Sequence, residues 1–528
     1  GMHIACRATV GKQAVQLVAV AALAYFSGGL AAGLYGAMGG TYVAANAGLM
    51  LSALQMGVFV AGSILINKVL GPKTPKAGTP EEAKQVHSLR SQRNSARPYE
   101  PIPVLWGEMR VVPDLASQPY TWHQSEDQYL STILLGGVNV HSAADLAIGD
   151  TPISSYQDVD VYYNGFSGMP NQKIPLSSNM DSLAGGAIED DETWVTRTSS
   201  PGAIQLAVDL EYVMYLQGNK SLLWAHSDIT VQYRKVGTSE WRVLTGAVKR
   251  IGSNKAEPRR VTWQQPVDEG QYEVRMKQKK VARTDQNGTN GFRQVTWVSL
   301  RSTQPDNTDY SAFGRIGIKI KATGQISGSL DTVRVTYRAK PMPIWTGTAW
   351  ATATTRENGL SNPGAILLQT LRGIWHKGKL QFGFGLSDDQ IDIDGLKAFM
   401  LHCTANGYTY DRWITSSISL HDFCQEVALA GMGEFSWTDG SRPTAVFVSD
   451  GQPVSAVVNM ANMLKASFSV DYALSNAADG IEYQYVDRDK GFETQTLRVT
   501  APGVTTMLNP ARVPGYGVTT EAHAAIMA

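Results

Sequence analysis

The chain has 528 residues, which is enough for several hydrophobic cores and about three domains. Its 46 basic and 46 acidic residues cancel, so no overall field draws the chain to nucleic acid or to an anionic surface. Three scattered cysteines, Cys6, Cys403 and Cys424, are too few for a disulfide framework, which argues against an oxidatively stapled domain and fits assembly in a reducing cytoplasm.

The first 70 residues differ from the rest of the chain, because no charged residue or histidine occurs between Lys12 and Lys68. Two apolar runs, 14–35 and 47–66, are each long enough to cross a roughly 30 Å hydrocarbon layer as a helix. Small residues one turn apart, which let helices approach closely, include Gly29, Gly33, Gly36, Gly40 and Gly57. The pattern predicts an apolar helical hairpin over residues 1–70. It is a candidate for membrane insertion or for burial in an assembly, for example as a channel plug.

A signal peptide fits this segment less well, because two joined apolar runs exceed the single core of roughly 7–15 residues in a signal peptide. Residues 71–97 then switch to Pro, Lys, Glu, Gln, Ser and Arg, and prolines such as Pro72, Pro75 and Pro80 break helices. This composition predicts a polar linker. The sequence opens on Gly1 and stops inside a helix-forming run, 520–528, so we expect a longer chain.

From residue 98 to about 340, short β-branched and aromatic runs alternate with polar residues and are separated by turn residues. Alternation of period two predicts strands with one buried and one wet face, as in the runs 229–234, 272–277, 316–321 and 333–338. We divide the region into a first β-domain over 98–200 and an inserted β-sandwich over 201–340. We interpret Trp241 and Trp263 as core or edge aromatics of that sandwich.

Helical periodicity appears after residue 341. A helix is predicted to begin at the capping Asn362 with Pro363 in its first turn. A second helix would bury Leu396, Phe399, Met400 and Cys403, and a third would begin at Ser419 and bury Leu420, Phe423, Cys424 and Val427. Residues 434–448 predict a hairpin that turns at 439–440. The predicted fold class is therefore α+β but mostly β, with an α+β part over 341–528.

Several ordered segments resemble the central tail-tip attachment protein, or host-specificity protein, of lambda-like long-tailed bacteriophages. They are PIPVLWGEMRV (101–111), ILLGG (133–137), DLAIGDTPI (145–153), NPGAILL (362–368), FGLSDDQID (384–392) and GVTT (503–506), with EGQYEVR (269–275) similar to the family's inserted fibronectin-like sandwich. Each string is short, so the resemblance rests on the order in which the strings occur. It covers about residues 96–528. The landmark residues it marks are Pro103, Gly107, Arg110, Gly136, Asp150, Pro363, Asp388 and Asp389.

The resemblance implies tail-hub β-domains, an α+β hub part, a homotrimer around the tail axis and a place in the virion at the distal end of the tail. Implied partners are the distal tail protein, other tail-tip proteins, the tape-measure protein and a host receptor bound through more C-terminal regions, with DNA only as passing cargo. The apolar N-terminal hairpin departs from the simplest family pattern, and the host membrane is a further possible partner for it. The implied role is attachment and genome delivery without catalysis, so no cofactor is expected.

Two clusters of side chains are candidates for metal binding. Carboxylates at 388, 389, 392 and 394 lack the alternate ligands and the final glutamate of a calcium loop, so we interpret them as acidic residues favoured at a helix start. His402 with Cys403, and His421 with Cys424, offer poor tetrahedral spacing for zinc, and both thiols fall on predicted core faces. No metal site is therefore predicted.

No nucleophile elbow, zinc-protease motif or phosphate-binding glycine loop occurs in the sequence. A basic cluster at 234–235, 249–250, 259–260 and 277–283 is interpreted as a solvated sandwich face, with a DNA channel lined by trimer-related copies as the alternative. Two readings of the whole chain stay open: a non-enzymatic phage tail hub, and a membrane-anchored bacterial surface adhesin with β-sandwich binding domains.

Overall fold

A computed structural model describes residues 89–92, 94–124, 127–246, 248–279, 291–323, 328–438, 441–448, 457, 459, 461–464 and 478–528. The chain divides into two units, residues 1–84 and 85–528, and every described residue belongs to the second. The predicted apolar hairpin, with Gly29, Gly33, Gly36, Gly40 and Gly57, lies outside the described residues. Within the described part, no helix is both long and apolar enough to cross a membrane.

The end of the predicted linker is built into the fold. Strand β1 (Leu89–Gln92) pairs in parallel with a strand at 328–330. Asn94 is buried, and its amide donates to the carbonyls of Pro113 (2.9 Å) and Val333 (3.0 Å) while its oxygen accepts from the Val333 N–H (2.7 Å). The predicted linker, 71–97, therefore includes ordered residues, because one asparagine side chain satisfies backbone groups on two separate segments.

The first strands after this point, with a 3-10 turn at Ile153–Ser155, are β2 (Val104–Trp106), β3 (Glu108–Val111), β4 (Tyr120–Gln124), β5 (Asp127–Gly137), β6 (Val140–Ile148), β7 (Thr151–Pro152) and β8 (Val159–Asn164). Strands β3 to β8 form parts of two four-stranded sheets, which two later strands complete, whereas β2 pairs with a later strand at Arg412–Ile414. We call these two sheets the core β module.

The inserted sandwich contains ten strands and a 3-10 turn at Leu244–Gly246. Its strands are β9 (Met180–Ile188), β10 (Val195–Thr198), β11 (Ala203–Gln217), β12 (Leu222–Leu223), β13 (Ala225–Lys235), β14 (Arg242–Val243), β15 (Lys249–Ser253), β16 (Lys255–Gly270), β17 (Tyr272–Gln278) and β18 (Gly291–Thr303). They form two five-stranded sheets around their own hydrophobic core. The alternating burial of β13 and β17 agrees with the period of two in the sequence.

Two strands that the sequence placed in the sandwich belong instead to the core β module. The next strands are β19 (Gly314–Lys321), β20 (Gly328–Leu330) and β21 (Val333–Ala339). Strand β19 lies between β5 and β8, and β21 lies between β3 and β6. The sandwich sheets thus run from β9 to β18, not over 201–340, because alternation identifies a strand without identifying the sheet it joins.

The next segment is α+β. Its strands are β22 (Met342–Trp345), β23 (Trp350–Ala353), β24 (Ile374–His376), β25 (Lys379–Phe382), β26 (Arg412–Ile414), β27 (Gly433–Thr438) and β28 (Arg442–Phe447). Its helices are α1 (Pro363–Arg372), α2 (Ile393–Asn406) and α3 (Leu420–Ala430), with a 3-10 turn at Asp388–Gln390. All three helices share one hydrophobic core with the core β module.

The predicted helix starts are confirmed. Asn362 accepts from the Ala365 N–H (3.2 Å) at the start of α1, and Ser419 accepts from the Asp422 N–H (3.0 Å) at the start of α3. The predicted faces are buried as well, except that Leu420 is only half-buried. The chain continues with β29 (Gly480–Asp487), β30 (Glu493–Thr500), β31 (Pro510–Pro514) and α4 (Glu521–Met527), which form a small C-terminal module.

Candidate functional site: the buried junction at Asp411

Asp411, which directly precedes β26, lies where the core β module, the helical part and the C-terminal module meet. Its side chain has no exposed surface. The carboxylate accepts hydrogen bonds from the Glu108 N–H (2.9 Å) and from the hydroxyls of Thr519 (2.7 Å) and Ser361. It also forms an ion pair with Arg356 at 3.2 Å. A buried carboxylate is tolerated only when it is paired and hydrogen-bonded, so this one residue fixes three parts of the chain together.

The tight turn between β2 and β3 requires glycine at position 107. Gly107 has a φ of 67°, in the left-handed region that favours glycine. A Cβ atom at this position would lie 1.9 Å from Oδ1 of Asp411. Any side chain at Gly107 would therefore displace the carboxylate that organises the junction.

A second buried carboxylate connects the C-terminal module to the same turn. The Glu108 side chain is 11% exposed and receives Arg338 (2.8 Å) from β21 and Arg488 (3.1 Å) from the loop after β29. In addition, the Asp411 N–H donates to the Gly517 carbonyl at 2.9 Å. The module is thus joined to the core through both charged and backbone contacts.

His523 on α4 makes a further contact between the C-terminal module and the helices. Its Nε2 lies 2.8 Å from the Ala430 carbonyl, so this nitrogen carries the proton, and its ring stacks on Tyr408 with centroids 5.3 Å apart. Burial, with a smaller effect of the Arg356 charge and against the opposing effect of the Ala430 hydrogen bond, lowers the pKa of His523 to about 4. The imidazole is therefore neutral near pH 7.

We expect acid to weaken this contact. The folded-state pKa of His523, about 4, lies below its ordinary value of 6.5, so the contribution is fully present above pH 6.5 and is lost as the pH falls toward 4. The loss reaches about 3 kcal/mol, from a difference of about 2.5 pKa units at 1.36 kcal/mol each. Hydrogen exchange of residues 480–528 between pH 7 and pH 4 measures it.

A His523→Gln variant keeps a donor for the Ala430 carbonyl but has no proton to gain, so its exchange should change less over this pH range. The same substitution at the exposed His421 is the control. Equal pH dependence in the wild type and the His523→Gln variant would contradict the assignment.

A largely buried ion pair inside the sandwich lies where the sandwich contacts the core β module. Arg301 of β18 and Asp209 of β11 form a bidentate pair with N–O distances of 2.6 and 2.7 Å, and their side chains are 6% and 14% exposed. Ser299 and Thr262 donate to the same carboxylate, each at 2.6 Å. The ring of Tyr120, from β4 of the core β module, covers the Arg301 guanidinium at 5.5 Å.

His123 lies beside this charged contact. Its backbone N–H donates to the Thr262 hydroxyl at 2.9 Å. Burial, together with the charges of Arg260 and Arg301 and against the opposing charge of Asp209, lowers the pKa of His123 to about 4. A protonated imidazole would therefore add a third cation to the interface between the sandwich and the core β module.

Four basic residues of the sandwich cluster are paired with carboxylates on neighbouring segments. The pairs are Arg234–Glu273 (2.5 Å), Arg250–Asp228 (2.8 Å), Arg260–Glu211 (2.7 Å) and Lys277–Glu192 (3.8 Å). Residues 280–283 of the cluster lie outside the described residues. The compensated pairs favour the interpretation as a solvated sandwich face over a DNA-lining stripe.

Trp241 and Trp263 also have structural roles in the sandwich. Trp241 is covered by the guanidinium groups of Arg234 (4.5 Å) and Arg275 (3.9 Å), whereas Trp263 packs at the edge of the sandwich core. Both are edge aromatics, as the sequence predicted.

Segments around four of the sequence landmarks, Pro103, Gly107, Gly136 and Pro363, contribute to the same hydrophobic core. Pro103 is buried and accepts from the Val138 N–H (2.8 Å), and a Cβ at Gly136 would lie 2.7 Å from the Gly314 carbonyl. Pro363 is buried in the first turn of α1. The other four landmarks lie apart from the junction: Arg110 is half-buried on β3, Asp150 pairs with Arg334 (2.5 Å), Asp388 pairs with Arg372 (2.7 Å), and Asp389 lines a surface cleft.

The acidic residues before α2 have individual structural roles. Asp392 caps α2 by accepting from the Gly395 N–H (3.1 Å), and Asp394 pairs with Lys397 (2.9 Å). The hydrogen bonds from Arg372 lower the pKa of Asp388. Over the described residues, no three His, Cys, Asp or Glu side chains converge as a metal site.

The histidines and cysteines that were tested as zinc ligands are packed separately. His402 stacks on Phe447 at 4.4 Å and His421 stacks on Trp437 at 5.9 Å. Cys403 and Cys424 are buried free thiols. Burial raises the pKa of both, to about 12 for Cys424, so neither forms the thiolate that metal binding or nucleophilic attack requires.

Comparisons with known proteins give distant likenesses only. No protein-family model matches the chain, and no curated protein matches it. Among solved structures, a chain of the virion of the native gene transfer agent particle is 14% identical, with 92% of this chain and 83% of that chain covered and a TM-score of 0.30. The receptor binding domain of the spike protein P1 from bacteriophage PM2 is 7% identical, with 24% and 91% covered and a TM-score of 0.15. At these TM-scores no common fold follows.

Proposed function

We propose that this chain is a non-enzymatic structural protein of a virion, the central hub at the distal tail tip of a lambda-like long-tailed bacteriophage. The observation that carries the proposal is the ordered set of landmark segments. The sandwich separates Gly136 from Pro363 in sequence, yet the segments around Pro103, Gly107, Gly136 and Pro363 all contribute to one hydrophobic core. The landmarks therefore mark one structural body.

The construction of this body suits a hub. A hub transmits force between the tail tube and the attachment apparatus, so its parts must not separate under load. Buried contacts of the Asp411 and Glu108 carboxylates resist separation, because pulling the modules apart would remove partners of a buried charge. We expect three copies to surround the channel, in contact with the distal tail and tape-measure proteins, with DNA passing through and the apolar hairpin as a plug or a membrane segment.

Cryo-electron microscopy of intact particles tests the proposal. We expect a threefold ring of this chain at the distal end of the tail tube. A short epitope inserted beside the exposed Asn219, at the β11–β12 turn of the sandwich, should add three antibody densities at that level and none elsewhere. Recovery of the chain in the host envelope, and its absence from all particles, would contradict the hub and favour the membrane-anchored adhesin.

A further inference from the structure

A surface cleft of about 540 Å³ opens between the end of α1, the segment after β25 and the β27–β28 hairpin. Small-molecule sites typically have roughly 300–1,000 Å³. The cleft combines aromatic residues, Phe384 and Trp437, with the polar residues Asp389 and Gln390. It lies apart from the Asp411 junction, and the proposed hub function does not use it.

Backbone contacts fix the first wall of the cleft. The N–H groups of Phe384 and Leu386 donate to the carbonyls of Thr370 (3.0 Å) and Leu371 (2.9 Å) at the end of α1. Gly383 has a φ of 98°, and a Cβ there would lie 2.2 Å from the Thr370 carbonyl, so only glycine allows this close approach. The result is a preformed wall that leaves the Phe384 ring 39% exposed.

The opposite wall presents Trp437, which is 47% exposed. His421 stacks nearly parallel to its ring, with centroids 5.9 Å apart and an angle of 15° between the planes. Phe435 contacts the same ring edge-on at 5.0 Å. Both neighbours already restrict the indole, so stacking a ligand on it costs the protein little further side-chain entropy.

Unused hydrogen-bonding groups lie in the same cleft. Asp388 is occupied by Arg372, but Asp389 has no hydrogen bond or ion pair with any described residue. Gln390 uses its amide oxygen to accept from the N–H and hydroxyl of Ser387, each at 3.0 Å, which leaves its NH₂ group to donate. One acceptor and one donor are therefore available beside the aromatic surfaces.

This combination matches one class of small molecule. A sugar ring has an apolar face of C–H groups that stacks on an aromatic ring, and a rim of hydroxyls that both donate and accept. The lining carries one carboxylate, Asp389, and one guanidinium, Arg442, so the cleft has no net charge to favour an ionic ligand, and a purely apolar ligand would leave the polar groups of Asp389 and Gln390 unused. We propose that this cleft binds a neutral saccharide, which stacks on Trp437 and Phe384 and forms hydrogen bonds with Asp389 and Gln390.

Isothermal titration calorimetry of the full chain with maltotetraose, cellotetraose, chitotetraose and mannotetraose tests the proposal. We expect saturable binding of at least one tetrasaccharide. Trp437→Ala and Asp389→Ala should each raise the Kd about tenfold or more. Trp224→Ala, at an exposed tryptophan of the sandwich, and Glu434→Ala, at an exposed carboxylate outside the cleft lining, are matched controls and should leave the Kd within about twofold.

All four positions are exposed, so we expect the variants to fold, and thermal unfolding checks that they do. Failure of every tetrasaccharide to bind, or binding that survives both cleft substitutions, would overturn the proposal. So would a display-selected peptide that binds through Trp437 while no saccharide binds, because the cleft would then be a protein-docking surface. None of these outcomes affects the ring expected in intact particles, so the two proposals fail separately.

Discussion

Replacing Asp411 with alanine is expected to cost roughly 3–5 kcal/mol, the range for removing one partner of a buried ion pair. The variant leaves the Arg356 guanidinium, which is 11% exposed, without its carboxylate. It also removes the acceptor of the Glu108 N–H and of the Ser361 and Thr519 hydroxyls. Each orphaned buried donor adds to the loss.

Hydrogen exchange is the suitable measurement, because a chain with several modules does not unfold in one step. We expect faster exchange in three segments at once, 104–111, 356–372 and 515–520, because each segment contains a residue that binds this carboxylate. The control is Asp394→Ala, which removes a carboxylate that is 92% exposed and paired with Lys397. Exchange rates in the Asp411→Ala variant equal to those of the control would show that the junction does not hold the modules together.

Local structure followed from the sequence wherever the deciding contacts are close in the chain. The starts of α1 and α3 depend on Asn362 and Ser419, each of which bonds an N–H three residues ahead. The buried faces of α2 and α3 follow from helical periodicity, and the alternation of β13, β17, β19 and β21 follows from the pleat. These features need no knowledge of distant residues.

The sequence did not predict which sheet a strand joins or which distant side chains meet, for two physical reasons. Strands β19 and β21 alternate like sandwich strands, and only their pairing with β5 and β6 reveals where they belong. Asp411 and Asp209 are isolated acidic residues in the sequence, without a motif or a spacing that marks them. Their importance arises from partners up to 303 residues away along the chain, and no local pattern records such contacts. Only the family resemblance marked Gly107, and the structure shows why glycine is needed there: its φ is positive and Asp411 lies close to it.

The second large effect is expected inside the sandwich, at the Arg301–Asp209 pair that lies beside Tyr120 of the core β module. Arg301→Ala leaves Asp209 buried with two hydroxyl donors and no cation, again at a cost of roughly 3–5 kcal/mol. It also removes the group that Tyr120 of the core β module covers. We expect the sandwich to loosen around β11 and β18 and to lose the Tyr120 contact with β4, which limited proteolysis would show as new cleavage near residues 118–128.

A double-mutant cycle separates this interface effect from a general loss of stability. In the Asp209→Ala/Arg301→Ala double variant the unpaired charge is gone, so its cost should be smaller than the sum of the two single costs by at least about 1 kcal/mol. Arg250→Ala, at an exposed arginine that pairs with Asp228, is the surface control and should leave the cleavage pattern unchanged. Additive costs would mean that the pair contributes as two independent side chains.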